Sequence, residues 1–179
     1  MELKKLGDSY DAVKRLWYEI FKKWGARLHA DSRFFPRDDL DDLQARYTRL
    51  TKIPVLHGTP AGPYSILNDP DTGIRLPDAA DQKEGLTHIR LDTISEQLRP
   101  AKVRAVVTFD QSHYRQREET FERQREAKMR YLTTKGLFAF YYASHAPFLF
   151  TCRTASTLQG LRRLLLTFGI PKEKLEPRE

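Results

Sequence analysis

Three apolar runs set the terms on which this chain can fold: Val103-Arg-Ala-Val-Val-Thr-Phe109, Leu137-Phe-Ala-Phe-Tyr-Tyr-Ala143 and Phe148-Leu-Phe-Thr-Cys152. Between the first and second lies an Arg- and Glu-rich segment, about Tyr114 to Thr133, that reads as a helix. After the third comes a Leu-rich helix starting near Ser156, with Leu158, Leu161, Leu165 and Phe168 as its inner stripe. Gly169 followed by Pro171 ends that helix in the expected manner. The order is strand, helix, strand, strand, helix. Ser144-His-Ala-Pro147 is short enough to turn the second strand back on the third. On the first strand Ala105, Val107 and Phe109 share one face, and Arg104, Val106, Thr108 and Asp110 share the other.

The remaining segments are arranged around this unit. Val13, Leu16, Trp17, Ile20, Phe21, Trp24 and Leu28 recur at helical spacing, predicting a helix over about Tyr10 to Leu28. Asp8 or Ser9 caps it, and Lys14, Arg15, Lys22 and Lys23 lie on its solvated back. A second helix is expected from about Asp38 to Thr51, with Leu40, Leu43, Tyr47 and Leu50 inward. Asp38, Asp39, Asp41 and Asp42 stand in its first turn and Arg46, Arg49 and Lys52 in its last, the charge order the helix dipole favours. Residues 1–54 therefore read as a helical hairpin. Residues 55–100 are loop-rich, with turn-forming clusters and short apolar pieces such as Tyr64-Ser-Ile-Leu67. One strand, Thr87-His-Ile-Arg-Leu-Asp92, interrupts them. Residues 101–170 are the β-α-β-β-α unit and 171–179 a charged tail. The expected fold class is α+β, a single domain over 1–179: a helical hairpin packed on a mainly antiparallel sheet, with the last two helices on one face. Its central order is compatible with a ferredoxin-like sandwich, although no final strand is evident.

At 179 residues one domain buries roughly 70% of its unfolded surface and needs no metal or disulfide to hold it. Cys152 is the sole cysteine, which excludes an internal disulfide and any zinc cluster of cysteines. Its apolar setting predicts a buried thiol. There is no signal-type leader and no run of ~18 apolar residues, so no membrane partner is expected and a cytoplasmic location is. The net charge of +7 is unevenly spread. Residues 1–54 carry 12 Lys/Arg against 9 Asp/Glu, residues 55–98 carry 3 against 7, and residues 99–179 carry 16 against 8. The positive excess belongs to the C-terminal half, and such a field attracts polyanions.

Three constellations carry chemistry. Lys135-Gly-Leu-Phe-Ala-Phe-Tyr-Tyr142 is similar to the basic-Gly-aromatic-small-aromatic strand pattern of RNA-binding sheets, with Leu137 inserted. A buried core strand explains the same aromatics, since Phe138, Phe140 and Tyr142 face one way and Tyr141 the other. The start of the last helix is an anion site in outline: Arg153 and Thr154 precede free backbone amides, and Arg162 and Arg163 follow. Ordinary capping by Thr154 or Ser156 is the simpler explanation. Finally, His88, Asp92, Asp110 and His113 lie at strand faces and ends, where an acid–base pair or a metal can be built. Polar alternation of half-buried strands also accounts for them. No zinc, nuclease or nucleophile-elbow motif accompanies them.

The leading expectation is a nucleic-acid-associated protein, DNA or RNA, holding phosphates through Arg115, Arg123, Arg130, Arg153, Thr154, Arg162 and Arg163. Two rivals stand beside it: a small phosphodiester- or nucleotide-processing enzyme using the His/Asp quartet, and a protein-interaction subunit. Nothing in the residues implies a particular cofactor or a resident metal.

Overall fold

The computed structural model describes residues 6–36, 40–76, 86–112 and 120–177. They form an α+β fold in which one mixed sheet is covered by helices on both faces. Six strands lie in the order β1-β2-β5-β7-β6-β8: β1 Arg27–Ala30, β2 Tyr64–Asn68, β5 Val103–Phe109, β7 Phe148–Cys152, β6 Phe138–Tyr142 and β8 Leu175–Glu176. The first three run parallel, and β7, β6 and β8 continue the sheet by antiparallel pairing. A separate parallel pair is made by β3 Gly73–Ile74 and β4 His88–Ile89.

Helices α1 (Ser9–Trp24), α2 (Leu40–Thr51) and α5 (Ala155–Thr167) cover one face, and α3 (Leu91–Gln97) and α4 (Phe121–Thr134) cover the other. The first core is centred on Trp17, whose ring meets Tyr142, Phe148 and Phe150 edge-on at 5.1, 5.7 and 5.2 Å. Such tilted packing suits the ring quadrupoles. The second core joins Ile66, Val106, Tyr141 and Leu149 of the sheet to Ile94 of α3 and Leu132 of α4.

The N-terminal hairpin is present, since α1 and α2 pack together and share the first core. Its connector holds more than a turn, because β1 and a 3-10 turn lie between the helices. The expected loop region contains β2, every residue of which is buried. A strand covered on both faces shows no alternation, which is why Tyr64–Asn68 did not read as one. Asp38 and Asp39 lie outside the described residues. Of the other charge expected on α2, Arg46 and Asp42 form an exposed pair at 2.8 Å.

Four element-level expectations are corrected. The strand Thr87–Asp92 is reduced to His88–Ile89, in the small sheet; Leu91 opens α3 because Leu91, Ile94 and Leu98 recur at helical spacing and all are buried. The helix expected from Tyr114 is described from Phe121, where the Thr120 side chain caps the Arg123 N–H. A last strand exists, β8, on the far edge of β6. And α4 and α5 lie on opposite faces, so the unit is not a two-layer sandwich. The reason is in α4 itself: its buried line is Gln124, Lys128 and Leu132, one turn apart each, and it faces Tyr141 and Asp110. The aromatic strand β6 is core only in its middle: Phe140 stacks on Phe150 at 4.9 Å and Tyr141 is buried on the opposite face, while Phe138 is exposed.

Candidate functional site

Parallel strands concentrate their polar ends on one edge, because each leaves the core at its carboxyl end; open sheets bind ligands outside that edge. Here the three parallel strands each run out of an apolar stretch into an aspartate: Asp31 after β1, Asp69 after β2 and Asp110 after β5. All three are buried.

Asp31 and its neighbours lace the strand ends together. Gln97 of α3 donates to Asp31 Oδ2 at 2.7 Å and to Asn68 Oδ1 at 2.8 Å. Asn68 Nδ2 returns a bond to Gln97 Oε1 at 2.7 Å and reaches Thr108 Oγ1 at 3.2 Å. Arg33 completes the Asp31 shell, its Nη2 2.6 Å from Oδ2. Every partner is an amide, hydroxyl or guanidinium, so the network is a tie.

Asp110 is enclosed more fully. Its Oδ2 accepts from Lys128 Nζ at 2.6 Å and from the Tyr141 hydroxyl at 2.7 Å, and its Oδ1 accepts from the Ile74 N–H at 2.9 Å. Lys128 Nζ also donates to Ser112 Oγ at 2.7 Å. Burial pushes the Lys128 ammonium below its ordinary value, opposed by the charge of Asp110. The chain passes so close that a Cβ on Gly73, at φ 139°, would stand 2.8 Å from the Asp110 Cα. Only glycine fits there.

The third aspartate opens onto space. Asp69 lines a cavity of about 250 Å³ with Asp8, Tyr10, Asp11 and Lys14 of the α1 end, Asp71, and Phe109 and Gln111 of the β5 end. Lys14 Nζ lies 2.6 Å from Asp69 Oδ2 and 3.1 Å from Asp11 Oδ1. Lys14 thus bridges the two carboxylates, with its closer contact to Asp69 Oδ2. Asp11 Oδ2 accepts from the Gly7 N–H at 2.7 Å. Burial alone would depress the Lys14 ammonium, but Asp69 and Asp11 outweigh it and hold it above its ordinary value. Burial raises the Asp69 carboxyl, against the pull of Lys14. Lys14 was expected on the solvated back of α1 and is buried instead, because it falls three and seven residues before Trp17 and Phe21 on the inward line.

The residues singled out from the sequence do not meet in one place. His113 and Arg115 lie outside the described residues. His88 is half-buried beside β3, and burial and Arg75 depress its imidazole, with Asp110 opposing. Asp92 is half-exposed in α3, where it accepts from the Tyr131 hydroxyl at 2.6 Å and pairs with Arg90 and Lys135, each at 3.4 Å. These are different groups from the Lys128, Tyr141 and Ile74 donors that hold Asp110. Among the described residues no group of three or more His, Cys, Asp or Glu could hold a metal ion.

The basic residues are likewise divided. Arg123 and Arg130 are exposed on α4 and Arg163 on α5, across the sheet from each other. Arg153 donates to the carbonyls of Ala101 and Val103 at 2.8 and 3.3 Å. Arg162 is buried and donates to the carbonyls of Leu175 and Pro177 at 3.2 and 2.9 Å. Thr154 caps α5 by accepting from the Thr157 N–H. Burial pushes the Cys152 thiol up to about 12, so it packs as a small apolar group.

The Asp11–Lys14–Asp69 group escaped the sequence reading. Its signal was there in the inward phase of Lys14 and in the Asp that closes each parallel run. Among the described residues no helix is long and apolar enough to cross a membrane. No protein-family model, curated protein or solved structure gives a significant match to this chain.

Proposed function

We propose that this protein recognises a small organic cation in the cavity at the carboxyl edge of β2 and β5, with Asp69 as the principal acceptor. The observation that carries the reading is a contrast of sign. The chain is basic overall, yet this cavity is lined by four carboxylates and one ammonium. That ammonium is shared by Asp11 and Asp69, so the three together leave one negative charge, which disfavours phosphate. Tyr10 and Phe109, with ring centroids 5.4 Å apart, add aromatic surface, and a ring face attracts an ammonium group.

The test uses two probes of like size and opposite sign, n-butylammonium and n-butyrate, in saturation-transfer NMR. The ammonium is expected to bind and the carboxylate not. Asp69→Asn, checked for folding by circular dichroism, should weaken the ammonium at least about tenfold, or ~1.4 kcal/mol. Equal binding of both probes, or an unchanged affinity in the variant, would sink the reading.

A second reading, nucleic-acid association, is supported by the excess of Lys/Arg in residues 99–179 and by the exposure of Arg123 and Arg130. Seven residues apart, they stand on one face of α4. If they hold phosphates, retardation of short DNA or RNA duplexes will fall steeply with salt. The Arg123→Ala/Arg130→Ala double variant should then lower the logarithmic salt slope by about 2. No retardation at low ionic strength would remove this reading.

A further inference from the structure

We infer that Gln111 is the residue that sets the length of ligand the site accepts, by standing as a partition between the acidic cavity and an open groove beside it. The inference rests on the cation reading and adds a specificity determinant to it.

Gln111 is the first side chain beyond β5 on this edge after the buried Asp110, and it lines both spaces. On the inner side is the 250 Å³ cavity, walled by Tyr10 and Phe109. On the outer side is a groove of about 770 Å³ lined, among the described residues, by the 143–147 turn, the 173–176 segment and the start of α4. The Gln111 amide nitrogen donates to the Tyr10 hydroxyl, which belongs to the inner wall, and at 3.2 Å to the His145 carbonyl, which belongs to the outer one. Its backbone N–H is fixed to the Thr72 carbonyl at 2.9 Å. One flexible side chain thus bridges the two walls while its backbone cannot follow it. The Tyr10 ring is held by Phe109 at 5.4 Å and by His145 at 5.9 Å, so the inner wall is itself positioned by the residue beyond the partition.

Among the described residues Gln111 alone lines both spaces, so its amide stands where they meet. With Gln111 in place, a cation whose head pairs with Asp69 must end where the amide stands. A longer tail has to break the bonds to Tyr10 and His145, leaving a half-buried amide and hydroxyl to be satisfied by water. Without Gln111 the tail runs on into the groove and gains contact along its added methylenes.

The probes are n-butylammonium and n-octylammonium, titrated by calorimetry below the octylammonium micelle concentration. The wild-type chain is expected to prefer the shorter by about tenfold or more. In Gln111→Ala that preference should vanish or reverse, with octylammonium gaining affinity relative to butylammonium. Tyr10→Phe, which removes the inner anchor of the amide and keeps both side chains' bulk, should move the ratio in the same direction by a smaller factor; it serves if the alanine variant does not fold. A length preference that is absent in the wild type, or unchanged in both variants, overturns the partition while leaving cation binding in place. If neither ammonium binds to any of the proteins, the cation reading fails and the partition with it.

Discussion

Lys128→Met is expected to destabilise the fold by about 3–5 kcal/mol, because it removes the counter-ion of a carboxylate that cannot reach water. Asp110 and Lys128 are each 1% exposed at the side chain, and Asp110 keeps its Tyr141 and backbone donors whether or not the lysine is there. The damage is therefore electrostatic rather than a loss of packing, since methionine fills the same space. For a chain of this length the melting temperature should fall by roughly 10 °C. The Asp110→Asn/Lys128→Met double variant should recover part of the loss, and the coupling in that cycle measures the pair. A single variant as stable as the parent, or strictly additive losses, would show that the charge is not confined as described.

The second large effect is on the other face. Lys14→Met leaves Asp11 and Asp69 buried together without their ammonium, and a loss of about 3–5 kcal/mol is expected again. Its pH dependence distinguishes it. In the wild type Lys14 is held above its ordinary 10.5, so the folded chain retains this proton when the unfolded chain has lost it. Its contribution is therefore fully present below pH 10.5 and is lost as the pH rises past the folded value. Lys128 runs in the opposite sense, being depressed by burial, and its term favours folding above 10.5. Asp69, raised by burial, favours the fold below its ordinary 3.8 and loses that contribution as the pH rises through its folded value. In Lys14→Met the burial that raises Asp69 has lost its chief opposition, so the variant should regain stability between pH 7 and pH 5. Denaturant midpoints at pH 5, 7 and 11 check all of this. A deficit equally large at pH 5 and 7 would refute the account of Asp69, and one undiminished at pH 11 the account of Lys14.

Both effects turn on lysines that composition assigns to the surface, and this marks where the sequence was legible. The α1 stripe from Val13 to Trp24, its Asp8 cap, the β5, β6 and β7 strands and Leu161 and Leu165 of α5 follow from spacing. Leu28, counted with α1, lies in β1 because Gly25 ends the helix, and Phe168, counted inward on α5, is exposed. The parallel half did not follow. β1 is only four residues long and is wedged between a helix and a 3-10 turn, while β2 is buried on both faces and interrupted by Ser65. A strand of that kind has no period to find. The acidic cavity depended on β2 and was hidden with it. Lys14 and Lys128 occupy inward positions of their helices, but a charge in phase with a core is interpretable only once its partner is placed, and the partners lie 55 and 18 residues away in the chain. The arginines misled for a related reason: Arg153 and Arg162 have the right chemistry for phosphate and spend it on carbonyls of their own chain.

Arg162 has a counterpart that gives β8 its character. β8 pairs with β6 over two residues only, far too short a ladder to hold an edge by itself. Arg125 of α4 grips Glu176 through two bonds of 2.7 and 2.9 Å and lies 5.9 Å from the Tyr141 ring. Arg162 of α5 grips the β8 backbone from the opposite layer and lies 5.9 Å from the Phe140 ring. The two guanidinium groups thus close on the sheet margin like the jaws of a clip. Beneath it lies β6, one of the most aromatic stretches of the chain, whose outer N–H and C=O groups would otherwise offer a template for another molecule's strand. What the clip guards against is self-association: its release would turn a well-packed core strand into an adhesive edge.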